Sequence, residues 1–328
     1  MDAATSVNGN GQRGGAAGRY PDTIAIAGID IGGTKISVLI VGDDGSILAR
    51  GVAPAPASEG GAAMADVAAG LVLAAAEEAG VAVAMAGVGA AGVIDSDAGV
   101  IRAASAMFTD WAGFPLGAEL SARLSVPVRI ENDVNAFLMG EVAWGAGGHD
   151  VLGIMLGTGV GGALVLDGEM RHGPNGAAGE IGHTPGYSDL VCTCGQVGHL
   201  ETLASGTSIG LRYGERTGNL GLNAAAVAER ARSGDPDALA VFWAAGRAVA
   251  LAGAISAGLL DLDAVMVGGG VAGAWDLLEP AIAATLATDS PVSGVPLRVE
   301  PARLGGDAVA LGAAAAARHH LSHPVTPR

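Results

Sequence analysis

At 328 residues the chain is too long for one small core and long enough for two domains sharing a cleft. Half of its residues are hydrophobic but only 3% are aromatic, so its cores must be built from Ala, Val, Leu and Ile. A formal charge of −16 opposes binding to a polyanion and argues against nucleic acid as a partner, while ATP stays open because phosphates can be held by local backbone N–H groups and a metal ion.

Residues 1–22 are rich in Gly, Ala and Asn, with no apolar run suited to a signal peptide, and read as a disordered tail. The Ala-rich stretch Ala62–Ala79 is interrupted by Asp66, Glu77 and Glu78. It reads as a globular helix, not a membrane span. These features predict a cytoplasmic protein with no membrane partner. The only two cysteines, Cys192 and Cys194, are separated by one residue, and in a reducing compartment a metal site is a better reading of them than a structural disulfide.

Thr23–Asp30 is a short apolar strand running into Gly32-Gly33-Thr34-Lys35, and Ile36–Val41 and Ser46–Val52 follow as strands with a turn at Asp43-Asp44-Gly45. After the Ala-rich helix come a strand at Val83–Gly89, a loop at Ala90–Ala98, a helix at Leu116–Leu124 and a strand at Val126–Ile130. Glu131-Asn132-Asp133 then leads into a helix ending near Trp144. The hairpin plan returns as Gly153–Leu156, a second glycine turn at Gly157–Gly162, and Ala163–Leu166. Gly28, Ile29, Gly32 and Leu39 recur as Gly153, Ile154, Gly157 and Leu164 at one constant offset. Repetition of the whole plan implies two related α/β domains facing each other. The cysteine-bearing loop His172–His199, helices across Ala224–Leu259, a buried strand Ala264–Val267 ending in Gly268-Gly269-Gly270, and a last helix Asp307–His320 complete the chain.

A glycine turn between strands lets backbone approach a phosphate closely, since no Cβ intervenes. One such turn is equally well a tight hairpin; two, with a third glycine cluster after a buried strand, point to phosphate. Neither is a Walker loop or a dinucleotide fingerprint, because neither opens a helix. Asp133 follows a strand and opens a helix, where it could serve simply as an N-cap. Asn132 could cap equally well and leave Asp133 free to face a cleft. The helix N-terminus favours an ionised carboxylate, so Asp133 is not expected to be a strong base. Phosphoryl transfer tolerates this, since its loose transition state needs positioning more than deprotonation.

GIDIGGTK (Gly28–Lys35), ENDVNA (Glu131–Ala136), LGTGVGGALVLDG (Leu156–Gly168), GAAGEIGH (Gly176–His183) and CTCGQVGHLE (Cys192–Glu201) occur in that order. Together they resemble the ROK family of sugar kinases and sugar-responsive repressors, within the actin-like ATPase and hexokinase superfamily. The resemblance implies two ribonuclease-H-like α/β domains around a central cleft. The small one is residues 23–131, with helix 307–320 packed back on it, and the large one is residues 132–306 with a zinc loop. It implies Asp133 as the base for the sugar hydroxyl, and Gly92, Asn132, Glu180, His183 and Glu201 as further sugar-binding residues. Gly32, Gly33, Thr34, Lys35, Gly157, Thr158, Gly159, Gly161 and Gly162 become the phosphate loops, Gly268, Gly269 and Gly270 the nucleotide side, and Asp30 the Mg²⁺ carboxylate. His183, Cys192, Cys194 and His199 become a zinc set, with His199 where the family usually has a third cysteine; Cys₂His₂ is still a sound tetrahedral site. A metal-free loop or a redox pair is the alternative.

The expected function is ATP-dependent phosphorylation of a hexose hydroxyl, foremost the 6-OH, by a homodimer that the resemblance alone implies. Family kinases often carry an Asn shortly before a Trp, and Ala106–Trp111 has none, which leaves room for an N-acetyl- or amino-hexose or a cyclitol beside glucose. Polyphosphate stays open as donor. The competing readings are a ROK transcriptional regulator, whose helix-turn-helix the short Gly-rich segment before the first strand does not supply, and a non-catalytic sugar-binding protein, against which Asp30, Asp133 and both glycine loops are intact.

Overall fold

A computed structural model describes residues 25–105 and 107–322. The expected tail at 1–22 lies outside the described residues. The first sheet is assembled from β1 (Ala25–Ile31), β2 (Lys35–Val41), β3 (Ile47–Pro54), β4 (Val83–Ala90) and, beyond a small hairpin of β5 (Val93–Asp95) and β6 (Val100–Ala103), β7 (Val128–Asn132). Its order is β3-β2-β1-β4-β7. Helix α1 (Gly61–Ala79) follows β3, and α2 (Leu116–Leu124) follows β6. Met64, Ala65, Ala68, Ala69, Val72 and Ala75 recur at helical spacing, and that stripe is the buried face of α1.

The second half opens with α3 (Asp133–Trp144) and repeats the sheet with β8 (Val151–Leu156), β9 (Val160–Leu166) and β10 (Glu169–Met170). Then come α4 (Glu201–Ala204), α5 (Gly206–Thr217), α6 (Ala224–Arg232), α7 (Pro236–Leu260), β11 (Ala264–Gly268), α8 (Trp275–Thr288), β12 (Arg298–Pro301) and α9 (Ala308–Ser322). The second sheet runs β10-β9-β8-β11-β12. In both sheets the central strand pairs antiparallel with the next strand in the chain and parallel with a later one. The duplicated hairpin read in the sequence is therefore a duplicated sheet topology, the mixed α/β plan of the actin-like ATPase fold.

Two expectations need correction, and several elements went unforeseen. The stretch Ala90–Ala98 is not all loop, since it contains β5. Strand β7 begins at Val128, two places after the expected start, and continues to Asn132. Helices α4, α5 and α8 and strands β10 and β12 went unforeseen. Strand β12 is short and largely solvated, so it leaves no apolar run, and α8 carries Pro280 inside it, which reads as a break.

Helix α7 is the one described helix long and apolar enough to cross a membrane. Its face bearing Val241, Phe242, Ala245, Val249 and Ala252 belongs instead to the second core, with Val265, Val267 and Leu278. It starts where Asp235 accepts from the amides of Asp237 and Ala238 while Pro236 occupies the first turn.

Helix α9 lies on the first sheet: Ala310, Leu311, Ala314 and Ala317 pack with Ile26, Leu39, Val41 and Met85. Its backbone comes so close that a Cβ on Gly87 would sit 1.8 Å from the Ala313 carbonyl oxygen, and one on Gly28 1.9 Å from that of Ala310. These glycines are paired neighbours on β1 and β4. On its other side α9 crosses α3, where the fully buried Glu141 accepts from the amides of Arg303 (3.0 Å) and Leu304 (2.8 Å) in the approach to α9.

Candidate active site

Strand β7 delivers Asn132 and α3 begins at Asp133. The Asn132 side-chain oxygen accepts from the amides of Val134 (2.9 Å) and Asn135 (3.2 Å), and its Nδ2 donates to the Gly92 carbonyl (3.0 Å). Asn132 is thus the cap, and the neighbouring carboxylate accepts from the Val134 amide at 3.0 Å. Burial pushes the Asp133 carboxyl up to about 6, against that hydrogen bond and with the charge of Glu180 adding to the rise. This reverses the expectation drawn from the helix terminus: desolvation outweighs the dipole, and Asp133 is a better base than a capping aspartate.

Asp30, Gly89 and Glu131 stand in register across β1, β4 and β7. Asp30 is also raised to about 6, by burial first and the charge of Asp133 second, with Lys35 opposing. Asp133, whose chain neighbours Asn132 and Val134 line one cavity, is coupled to a carboxylate in each of two, Glu180 there and Asp30 in the other. On one side a cavity of about 500 Å³ holds Asp30, Lys35 and Gly268, Gly269 and Gly270, closed by Gly305 and Gly306. On the other a cavity of about 330 Å³ holds Gly92, Asn132 and Glu180, with a wall of small residues at Ala103, Ala104 and Ser105. A third, of about 570 Å³, joins Gly157, Thr158 and Gly270 to Gly206, Thr207 and Asn223.

The two glycine turns divide their labour differently from the sequence reading. In the first, the Gly32 amide donates to the Lys35 carbonyl (3.1 Å), Gly33 is covered by Met107 and Phe108, and Thr34 is solvent-exposed with its carbonyl bonded to Ala55. Met107 stands in the segment that lacks the family's asparagine. In the second, Gly157 and Thr158 open onto the large third cavity, whereas Gly161 and Gly162 line the cavity of Glu180 instead. The cause is the close approach of the Gly179 carbonyl to Gly162, where a Cβ would meet it at 2.1 Å. Glu201, expected at the sugar, is engaged elsewhere. One oxygen accepts from the Val160 amide (2.9 Å), the other from the Thr193 hydroxyl (2.6 Å), and it does not border the Glu180 cavity. The residues the sequence reading missed, Gly206, Thr207 and Gly305-Gly306, follow no apolar strand. Their only signal is a glycine beside a helix start.

His183, Cys192, Cys194 and His199 bring their ligand atoms within 4.8 Å of one another. The two Nδ1 atoms are 3.3 Å apart, Cys194 Sγ is 3.3 Å from His199 Nδ1, and Cys192 Sγ is 3.8 Å from His183 Nδ1. A tetrahedral zinc with bonds of about 2.0 Å to nitrogen and about 2.3 Å to sulfur sets edges of about 3.3 to 3.8 Å, so the donor set fits. His199 Nε2 lies 3.1 Å from the Gln196 side-chain oxygen, which fixes the proton there and leaves Nδ1 as a lone pair for the metal. The turn forms because Gly195 takes φ 87° and its amide donates to the Cys192 carbonyl.

Comparison with known proteins places the chain among relatives of known activity. The ROK family profile matches residues 26–320. A glucokinase of Streptomyces coelicolor is 33% identical over 278 residues, covering 77% of this chain and 84% of its own. An N-acetylmannosamine kinase of Escherichia coli is 33% identical over 252 residues, covering 74% and 82%. The crystal structure of a ROK family glucokinase from Streptomyces griseus in complex with glucose and AMPPNP superposes with a TM-score of 0.75 at 32% identity, covering 90% of this chain and 99% of that one. With the family match spanning nearly the whole described chain, the protein belongs to the ROK family.

Proposed function

We propose that this ROK-family sugar phosphotransferase moves the γ-phosphate of ATP onto the 6-hydroxyl of a hexose, with Asp133 as the catalytic carboxylate. The observation that carries the reading is the coupling of Asp133 both to Asp30, in a cavity lined by Lys35 and three consecutive glycines, and to Glu180, in one lined by Asn132 and Val134 on either side of Asp133 in the chain. ATP would lie across the larger cavities, its phosphates on the glycine amides, and its base beside Asn223 and Leu222. Asp30 has the chemistry to hold Mg²⁺, one carboxylate shared with substrate phosphates. Bound there, the ion would neutralise charge on the transferring phosphates. Zinc on the four Cys and His ligands would be structural, since they leave no open position.

The sugar would enter the cavity of about 330 Å³. Glu180 offers acceptors to its hydroxyls, His183 with Nδ1 on the zinc would offer its Nε2–H as a donor, and Asn132 keeps one amide proton free after its bond to Gly92. Asp133 orients the hydroxyl toward the phosphate and takes its proton as the new O–P bond forms and ADP leaves. The small-residue wall of Ala103, Ala104 and Ser105 leaves room for an acetamido group, so N-acetyl- and amino-hexoses stand beside glucose as candidates. The division into a small domain at 23–131 plus α9 and a large one at 132–306 belongs to the same reading, with the cleft between the two sheets. A homodimer and a cytoplasmic setting belong to it as well.

Purified protein assayed with Mg²⁺-ATP, and in parallel with polyphosphate, against hexoses, hexosamines and cyclitols tests the proposal. Phosphate appearing on the 6-position of one sugar class is the expected result. Absence of sugar-dependent ADP formation across the panel would overturn it.

A further inference from the structure

Glu131, the first residue of the ENDVN run, is buried and carries four donors. Its Oε1 accepts from the Asn132 amide (2.9 Å), Asn135 Nδ2 (2.9 Å) and the Ser96 hydroxyl (3.4 Å). These fix the first turn of α3, where Asp133 begins. Its Oε2 has one partner among the described residues, His172 Nε2 at 2.7 Å. His172 comes from the opposite half of the molecule, just beyond β10. Its own carbonyl accepts from the Ala178 amide (3.1 Å), closing the loop that leads into Gly179 and Glu180.

We infer that His172 is a positioning residue, locking the segment that bears Glu180 and His183 onto the foot of the Asp133 loop through Glu131. The inference rests on the sugar site proposed above. His172 touches neither cavity of that site, so it acts through other residues. An ion pair between exposed side chains contributes little, and the His172 side chain is 46% exposed, but the Glu131 side chain is only 11% exposed. Removing the imidazole therefore leaves a buried carboxylate oxygen without a partner, the costly half of a broken hydrogen bond. Burial pushes the Glu131 carboxyl up, and the His172, Asn135 and Asn132 donors together overcome it and hold it below the usual range. The bond to Glu131 in turn raises the imidazole above its ordinary value, opposed by partial burial and aided by Glu131's charge and then Asp97.

The lock accounts for how one segment can present Glu180 at a fixed distance from Asp133 although Asp133 opens α3 after the first sheet and Glu180 lies in the loop beyond β10. Its geometry also specifies the donor: any side chain that places an N–H at Oε2 should serve, charged or neutral.

The test compares His172→Ala, His172→Gln and Glu131→Gln with the unchanged protein, using glucose and N-acetylmannosamine with Mg²⁺-ATP, together with amide hydrogen exchange of residues 131–135 and 172–183. His172→Ala should raise the sugar KM about tenfold and leave the ATP KM within about twofold, a split that general destabilisation does not produce. Exchange should quicken in both segments. His172→Gln should recover most of the loss, and adding His172→Ala to Glu131→Gln should cost little more than Glu131→Gln alone. Unchanged exchange in His172→Ala, equal losses for sugar and ATP, or additive effects in the double variant would each overturn the lock. Asp133→Asn, run alongside, separates the two readings: full turnover there removes the site assignment, while hydrogen exchange needs no catalysis and still decides the role of His172.

Discussion

Burial first, and then the charge of Asp133 acting across the glycine at position 89, lift the Asp30 carboxyl. Two half-buried carboxylates, opposed among the described residues by Lys35, form an arrangement that costs stability and would suit Mg²⁺-ATP. Binding a cation there relieves the repulsion, so the same feature that weakens the free protein favours its nucleotide complex.

Replacing Asp133 by Asn should therefore act in opposite directions on activity and on stability. Turnover should fall by at least about a hundredfold, the range of a positioned acid–base group, with sugar still bound. The folded-state value of about 6 lies above the ordinary 3.8, so the carboxyl favours the fold below pH 3.8 and costs stability once pH has risen past 6. Two pH units correspond to roughly 3 kcal/mol. The melting temperature of Asp133→Asn should exceed that of the unchanged protein at pH 7.5, and the gap should close near pH 4. Equal melting curves at both pH values would show that Asp133 is not desolvated.

The same value sets an acid limb on the reaction. Asp133 must be ionised to accept the hydroxyl proton, so kcat/KM for the sugar should climb with slope one as pH rises toward about 6. Mg²⁺ beside Asp30 can only move the limb lower. A pH series with constant ionic strength reads it directly. A limb above pH 7, or one that persists unchanged in the residual activity of Asp133→Asn, would assign it to a different group.

Much of this was legible in the sequence because the signals are local. The strand–glycine–strand plan and its repeat at Gly153–Leu166 foretold the duplicated topology, and ENDVN placed Asp133 at a strand-to-helix junction. What escaped depends on contacts between distant segments. The Asn132 cap is local and was among the readings the sequence allowed, whereas Glu201 bonding Val160 and Thr193, and Gly161 and Gly162 turning toward Glu180, depend on residues far apart in the chain. The pKa of Asp133 is of the same kind. A helix terminus can be read from neighbours in sequence, whereas the burial that overrides it comes from the opposing elements.

The seat of α9 on the first sheet gives a prediction about the frame of the cleft. Gly87→Ala would place a methyl 1.8 Å from the Ala313 carbonyl oxygen, a collision with backbone that no rotamer relieves. Overpacking of this kind costs about 1–3 kcal/mol, and here it must also lift α9 from α3. Denaturant unfolding should show the loss, accompanied by a raised ATP KM because Gly305 and Gly306 precede α9. By contrast, Gly70→Ala, on an α1 position with open space around it, should be neutral or slightly stabilising. Equal midpoints for the two variants would mean that α9 is not held as described.

Zinc is the prediction with the widest reach, because the candidate ligands tie two loops together. His183 ends the GAAGEIGH run, and Cys192, Cys194 and His199 lie on the turn that delivers Thr193 to the Glu201 carboxylate. Glu201 in turn holds the Val160 amide in the second glycine turn. A metal at the four donors would stiffen this chain of contacts and keep the glycine turn shaped. Replacing a third thiolate by the imidazole of His199 makes the site less negative by one charge, so its affinity should be lower and should fall further as pH drops and the thiols protonate. Protein purified without chelator should carry about one zinc per chain. Cys192→Ser should lose most of it, raise the sugar KM and melt earlier, with the ATP KM changed less. Elemental analysis decides the first point: less than about 0.2 zinc per chain in fully active protein would mean that packing and the Gln196–His199 bond hold the turn, and that Cys192 and Cys194 are simply free thiols.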